Sequence, residues 1–296
     1  MHGGAGGFAG LRERQTADAL RAGIAAALAA GAEVLAAGGA AADAAVAAVA
    51  SLEECPLFNA GTGSVLNRAG EVEMDAALME GAGRRAGAVA GVRRLAHPIE
   101  AARAVLRDGR HVLLFGAEAE RIGREAGVAA IDPAALIVPA RSAQLARSRH
   151  GTVGAVARDA AGHLAAATST GGLVGKLPGR ISDSAQIGCG TWADDATCAV
   201  SATGHGESFI RTVFAREVDA LLRHARVDLD EACRRALAEI AALGGHGGCI
   251  ALDRDGNAAM PFDTPAMPRG VVREGEPARV ALGPEALGAL GPEALA

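Results

Sequence analysis

The chain has no tyrosine, one tryptophan and six phenylalanines, so aromatics make up only 2% of its 296 residues. That scarcity argues against a surface that stacks nucleobases on successive rings. It has a single lysine, Lys176, and its 29 basic against 34 acidic residues leave a formal net charge of −5. Binding through phosphate neutralisation needs a basic excess, so no nucleic acid partner is expected. The five cysteines, Cys55, Cys189, Cys198, Cys233 and Cys249, are odd in number and include no C-x-x-C pair. Neither a disulfide framework nor a thiolate zinc site is indicated, and a reducing cytoplasm fits best. Long uninterrupted apolar runs are missing too: the stretch from Leu20 to Leu52 is mostly alanine and is broken by Arg21, Glu33, Asp43 and several glycines. It is too weak to predict a membrane span. The opening Met1-His2-Gly3-Gly4 lacks the basic and apolar regions of a signal peptide.

What is present is a globular composition, 50% hydrophobic and 21% charged, which excludes a disordered or collagen-like chain. The length suits one compact unit or two intimate halves of mixed α and β structure. Alanine and leucine predict two helices between Thr16 and Glu54, broken at Gly38-Gly39. Short strands are expected at Val72–Asp75 and Ala86–Ala90, and helices at Pro98–Arg107 and Ala117–Ala126. Residues 132–151, with Pro133, Pro139, Arg141, Arg147 and Arg149, read as an exposed linker and a natural seam. Beyond it, hairpins are expected at Val153–Ala157 with Leu164–Thr168, and at Cys249–Leu252 with Ala258–Met260. Two amphipathic helices, Glu207–Arg223 and Leu229–Leu243, are placed to cover one face of a sheet. The repeated Gly-Pro-Glu-Ala-Leu at residues 283 and 291 reads as a solvated tail, 283–296.

Forty-one glycines cluster at Gly3-Gly4-Ala5-Gly6-Gly7, Gly171-Gly172, Gly204-His205-Gly206 and Gly244–Gly248. Such runs serve turns or a close approach of backbone to ligand. A phosphate loop would need Gly at 170 and Ser or Thr at 177, where the chain has Thr170 and Leu177. Gly4–Ala9 imitates a dinucleotide fingerprint, but no strand precedes it in this chain. There is no metal-spaced His/Cys/carboxylate cluster and no G-x-S-x-G elbow. What remains is hydroxyls beside glycines: Thr152, Thr168-Ser169-Thr170, and Ser201 with Thr203.

In order along the chain stand His2–Gly6, Leu52–Gly61, Gly151–Val156, Ala167–Gly172, Gly179-Arg180 through Asp183-Ser184, and Thr203–Glu207. Together, from His2 to about Gly270, they resemble the plant-type L-asparaginases, or isoaspartyl peptidases, of the N-terminal nucleophile hydrolases. The resemblance implies an α/β fold, a four-layer αββα sandwich. It also implies self-cleavage between Gly151 and Thr152 into an α chain, 1–151, and a β chain, 152–296, that assemble as a dimer of heterodimers. Cleavage would give Thr152 a free α-amine, a base beside its own hydroxyl. By the same resemblance Thr170 orients that hydroxyl, and Thr203 with the Gly204 N–H forms the oxyanion hole. Arg180 and Asp183 grip the substrate's α-carboxylate and α-ammonium, Gly206 offers a carbonyl to the ammonium, and Asn59 lies near the nucleophile. Carbonyls of Leu52, Glu53, Cys55, Phe58, Ala60 and Thr62 are expected to wrap a structural sodium ion, with Cys55 small and buried. No cofactor is expected in catalysis. The substrates implied are β-aspartyl dipeptides and L-asparagine. The rivals are a glycosylasparaginase, an uncleaved inactive homologue, and a nucleotide binder built on the glycine loops.

The chain departs from the family pattern at Gly175, Ser182 and Ala185, and has no apolar strand ahead of His2-Gly3-Gly4 in this sequence. Either that strand is lost or the true start lies upstream of Met1; a strand truly absent would leave a sheet neighbour uncovered. His205, between two of the site glycines, is not expected to act as a general base.

Overall fold

A computed structural model of the chain describes residues 1–7, 13–138 and 151–289. Helices α1 (Arg14–Ala36) and α2 (Ala41–Glu54) form an antiparallel alanine-rich pair. They approach so closely that a Cβ on Gly31 would lie 3.1 Å from the Ala44 carbonyl. Helix α2 packs on one face of a five-stranded sheet, order β3-β2-β1-β5-β4, together with α3 (Pro98–Asp108) and α4 (Gly116–Glu125), while α1 packs on α2 from outside. Its strands are β1 (Met74–Glu80), β2 (Ala86–Val92), β3 (Leu113–Phe115), β4 (Val153–Arg158) and β5 (Leu164–Thr170). All neighbours pair antiparallel except β2 with β3.

A second sheet of β6 (Thr191–Ala193), β7 (Cys198–Gly204), β8 (Gly247–Asp253) and β9 (Ala258–Ala259) runs in that order. It packs against the first sheet on one side and, on the other, against helices α5 (Gly206–Thr212), α6 (Phe214–Ala220) and α7 (Leu229–Ala242). Side chains alternate along each strand. In β5, Ala165 and Ala167 face α2 and α3, while Leu164 and Ala166 face the second sheet. Thr168 and Thr170 share the inner face by the same alternation. There the Thr168 hydroxyl meets Ser201 Oγ at 2.8 Å and accepts from Thr191 at 2.7 Å, and Ser201 meets His2 Nε2 at 3.0 Å. Paired in this way, polar groups between two sheets avoid the cost of burial. Three short strands, β10 (Arg269–Val271), β11 (Arg279–Ala281) and β12 (Gly288–Ala289), complete the fold; His2 bridges β4 at Gly154 and β10 at Arg269.

Most expected elements lie where the sequence put them, with several corrections. The Glu207–Arg223 helix is broken at Val213, whose φ of 50° ends α5 and begins α6. The start of the 132–151 linker is exposed at Asp132, Ala134 and Ala135, as expected, but it is anchored by Leu136, which is fully buried and whose carbonyl accepts the Gly63 N–H at 3.0 Å. Residues 139–150 lie outside the described residues. The first Gly-Pro-Glu-Ala-Leu repeat is exposed at Pro284, Glu285 and Ala286, as expected, but it is tied down: the Glu285 carboxylate accepts the Leu282 and Gly283 N–H groups and buried Arg269 donates to the Gly283 and Glu285 carbonyls. The second repeat lies outside the described residues. Helix α1 is long and apolar enough to cross a membrane by length and composition, which the sequence reading did not anticipate; its Leu20, Ile24, Ala27 and Leu28 pack in the core. Along β4, Ala155–Arg158 line a groove of about 960 Å³ between α1, α2 and Val271-Val272.

Candidate active site

Thr152 stands immediately before β4, and β4 pairs with β5, so register alone brings Thr152 beside Thr170. Both are buried. The Thr152 hydroxyl donates to Thr170 Oγ1 at 3.3 Å, and Thr170 donates to the Gly151 carbonyl at 3.0 Å while accepting the Gly172 N–H at 2.9 Å. Asn59 supplies a second donor to the Gly151 carbonyl at 2.6 Å. Its amide is oriented on every side: Nδ2 also donates to Gly172 O at 2.8 Å, and Oδ1 accepts the Val65 N–H at 2.9 Å. The carbonyl preceding Thr152 is thus held by two side-chain donors, with a hydroxyl directly behind it. The glycine loop closes over the same bond: a Cβ on Gly4, where φ is 108°, would lie 3.1 Å from Gly151 Cα and from Thr152 N.

Thr203, at the end of β7 on the face toward the first sheet, is fully buried and its Oγ1 accepts the Ala5 N–H at 2.9 Å. That contact uses a lone pair and leaves the hydroxyl proton for another acceptor. Gly204 follows with φ 150°. A Cβ there would collide with the His246 carbonyl, so only glycine lets the chain turn from β7 toward α5.

Asp183 opens a single 3₁₀ turn, Asp183–Ala185, and is buried with one carboxylate oxygen, Oδ2, lacking a partner among the described residues. Burial pushes its carboxyl up from 3.8 to about 7, with nearby Arg180 opposing the rise. Arg180 does not grip Asp183. Its Nε and Nη2 donate to the two oxygens of Glu207, each at 3.0 Å. Burial would raise the Glu207 carboxyl, but the Arg180 hydrogen bonds and charge hold it below its usual range. Gly206 sits against both, where a Cβ would lie 2.5 Å from Asp183 Oδ1 and 2.7 Å from Arg180 Nη2. A buried, unpaired carboxylate next to a guanidinium is an arrangement suited to a zwitterionic head group.

The Leu52–Thr62 loop folds its carbonyls inward. Glu53 O accepts the Thr62 N–H at 2.7 Å, and a Cβ on Gly63, where φ is 100°, would lie 2.6 Å from Pro56 O and 2.9 Å from Phe58 O. Cys55 is half-buried, not buried as expected, because its sulfur lies at the turn after α2 rather than inside it. No cluster of His, Cys, Asp or Glu among the described residues can hold a metal through side chains.

With this geometry in view, comparison with known proteins is decisive. A family model described as asparaginase matches residues 1–150 and 138–282. The chain belongs to the asparaginase family. Similar relatives include the isoaspartyl peptidase of Salmonella typhimurium, 44% identical over 291 residues that cover 91% of this chain and 93% of that protein. That of Escherichia coli is 43% identical over 91% of this chain and 90% of its own length. The Homo sapiens isoaspartyl peptidase/L-asparaginase is 36% identical over 92% of each chain.

In this asparaginase-family chain, Asn59, Gly151, Thr152 and Thr170, all marked from sequence, form one hydrogen-bonded set. Arg180, Asp183 and Gly206 lie close together without hydrogen bonds among them, and Thr203 bonds the Ala5 N–H. The sequence reading missed the Arg180–Glu207 pair, although Glu207 stood inside a quoted motif. A charged residue three positions past an oxyanion-type Thr-Gly was the available signal. His205 lies half-exposed with Nδ1 3.1 Å from Ser208 Oγ.

Proposed function

We propose that the chain is a self-cleaving threonine hydrolase that acts on β-aspartyl dipeptides and on the side-chain amide of L-asparagine. The observation that carries this reading is the Gly151 carbonyl, held by Asn59 and Thr170 next to the Thr152 hydroxyl, which itself hydrogen-bonds Thr170. In the precursor, Thr152 Oγ attacks the Gly151 carbonyl carbon, and its proton is relayed through the Thr170 hydroxyl to the Gly151 carbonyl oxygen, to which Thr170 donates. That proton then passes to the Thr152 nitrogen as the Gly151 C–N bond breaks, which leaves an ester and a free amine; water hydrolyses the ester to the Gly151 carboxylate and the Thr152 hydroxyl. The products are a 151-residue chain and, from 296 − 151, a 145-residue chain that begins with a free amine at Thr152.

That amine, with an ordinary pKa of about 7.7–8.0, is the base the hydroxyl otherwise lacks. It takes the Thr152 hydroxyl proton as the oxygen attacks the substrate's β-carbonyl. Ammonia or an amino acid leaves with a proton, and water then releases aspartate from the ester. The Thr203 hydroxyl, polarised by the Ala5 N–H, and the Gly204 N–H serve the developing oxyanion. A donor of this kind is worth roughly 3 kcal/mol. The Asp183 carboxylate, whose Oδ1 faces Gly206 beside Arg180, receives the α-ammonium, and the edge of Arg180 not taken by Glu207 receives the α-carboxylate. The carbonyl-lined Leu52–Thr62 loop fits a hard cation such as sodium, held by Leu52, Glu53, Cys55, Phe58, Ala60 and Thr62. Bound there, the cation would stiffen the loop that carries Asn59.

The packing of helices on the outer face of each of two facing sheets supports the four-layer αββα reading. Exposed Val112, Leu113 and Phe115 on the β3 edge support burial in a dimer of heterodimers. Free cysteines support a reducing, cytoplasmic setting. Intact mass with N-terminal sequencing tests the whole scheme, the expected result being a new chain starting at Thr152. Turnover of glycosylated asparagine without turnover of β-aspartyl-leucine would transfer the reading to a glycosylasparaginase.

A further inference from the structure

Strand β1 brings two carboxylates to the edge of the site that the chemistry above does not use. Glu73, immediately before β1, and Asp75, its second residue, lie two positions apart and so share the face turned toward the second sheet. Asp75 is fully buried. Its Oδ2 accepts the Ser182 N–H at 2.7 Å, and its Oδ1 accepts the Gly91 N–H at 2.9 Å, at the place where the β1–β2 register slips. Glu73 is nearly as buried; its Oε2 accepts the Gly179 N–H at 3.1 Å and its Oε1 accepts from Arg93 at 2.9 Å. The two backbone N–H groups held in this way belong to the residues immediately before Arg180 and immediately before Asp183. The clamp segment is therefore pinned at both ends to one strand.

The same strand also carries the other half of the site. Asp75 pairs directly with Thr170 in the β1–β5 register. The only lysine, buried Lys176, donates to the Glu73 carbonyl at 2.7 Å and brings its positive charge near Asp75 and Glu73. A carboxylate with two backbone donors and a nearby cation is a stiff connection. Glu207 orients the Arg180 side chain, but the backbone position of the clamp is set from β1.

We propose that Asp75 and Glu73 are positioning residues that set the distance between Thr152 and the Arg180–Asp183 clamp, and thereby select a substrate with one methylene between its α-carbon and the scissile carbonyl. The proposal rests on the roles assigned above to Thr152, Arg180 and Asp183. A γ-glutamyl group has one methylene more, so with its head group in the clamp its carbonyl overshoots the nucleophile. A misplacement of about 1 Å can cost on the order of 100-fold in rate.

The test measures kcat/KM for β-aspartyl-leucine and γ-glutamyl-leucine, with intact mass recorded for every variant. Asp75→Asn keeps the shape, but an amide has one acceptor oxygen where two N–H groups need one each. One contact must therefore be lost. The expected result is a rise in KM for the β-aspartyl substrate and a fall of about tenfold in the preference over γ-glutamyl, the size that one methylene commands. Glu73→Gln, beside half-exposed Arg93, is expected to shift the ratio the same way by less, and it decides the matter if Asp75→Asn yields no folded protein. Folded variants that lose turnover on both substrates in equal proportion, or keep the wild-type ratio, overturn the proposal. A wild-type enzyme inactive on β-aspartyl-leucine overturns instead the function on which the proposal rests.

Discussion

Asp183 is the residue whose environment makes the sharpest demand. Its carboxyl, raised to about 7 by burial, is protonated in the free enzyme at lower pH and then offers no charge to an ammonium. Below pH 7, kcat/KM for β-aspartyl-leucine should fall more steeply than kcat, because protonation of Asp183 weakens binding on top of the protonation of the Thr152 amine, which lowers both. The linkage to stability has a definite sign. Because the folded value lies above the ordinary 3.8, the stabilisation from this group is complete below that value and is lost as pH rises to about 7. Asp183→Asn should therefore gain heat stability over the wild type progressively from pH 4 to 7 while losing substrate binding; a constant difference in melting temperature across that range would contradict the buried, unpaired carboxylate. At Thr203, replacement by valine keeps the shape but removes both the Ala5 contact and the oxyanion donor. It should lower kcat by about 100- to 1,000-fold in a protein that still cleaves itself.

At the scale of elements, the break at Val213 shows where local preference yields to packing. A single helix was expected over Glu207–Arg223, since its periodicity runs through without Gly or Pro. In the fold, Phe209 must face β7 and Phe214 must face the same core, and the two rings meet edge-on with centroids 4.8 Å apart. A continuous helix cannot turn both inward at that spacing, so the chain adopts left-handed geometry at a β-branched residue, at a cost of about 1–2 kcal/mol. Val213→Gly should raise the unfolding free energy from denaturant titration by up to about 1 kcal/mol without altering turnover. A loss of stability would show that the packing of Val213 against Gly188 outweighs the strain. The β4–β5 hairpin is the opposite case. Alternating small residues on both sides of Arg158–Gly162 made it legible, and its register brings Thr152 next to Thr170.

For the molecule as a whole, the N-terminal residues tie its parts together. His2 pairs with both β4 and β10, and its ring lies between the sheets on Ser201. Burial and the adjacent N-terminal charge push the imidazole down to about 3. Its stabilising contribution is present above the ordinary value of 6.5 and is lost as pH falls toward 3, by up to about 1.4 kcal/mol per pH unit. Urea denaturation at pH 7 and pH 5 should show a steeper acid loss in the wild type than in His2→Asn. Equal slopes would mean that the ring is not held neutral by the fold. At the same scale, Thr152→Ala should yield a single 296-residue chain with no turnover. A split chain in that variant would remove Thr152 as the cleaving nucleophile.

The ordered motifs were enough to indicate the family, and the alternation of small residues the strand pairs beside Thr152. Each of those signals is local, carried by a glycine that admits a particular turn, an alternation of small residues, or a hydroxyl beside a glycine. The Arg180–Glu207 pair, the two carboxylates of β1 on the clamp, the docking of Glu285 and the break at Val213 are different in kind. Each joins segments whose meeting depends on how sheets and helices stack, and a charged residue in isolation reads as solvated until that stacking supplies its partner. What ties the segment carrying Arg180 and Asp183 to strand β1 is therefore a property of the packed layers, because only they bring residues 73 and 75 against residues 179 and 182.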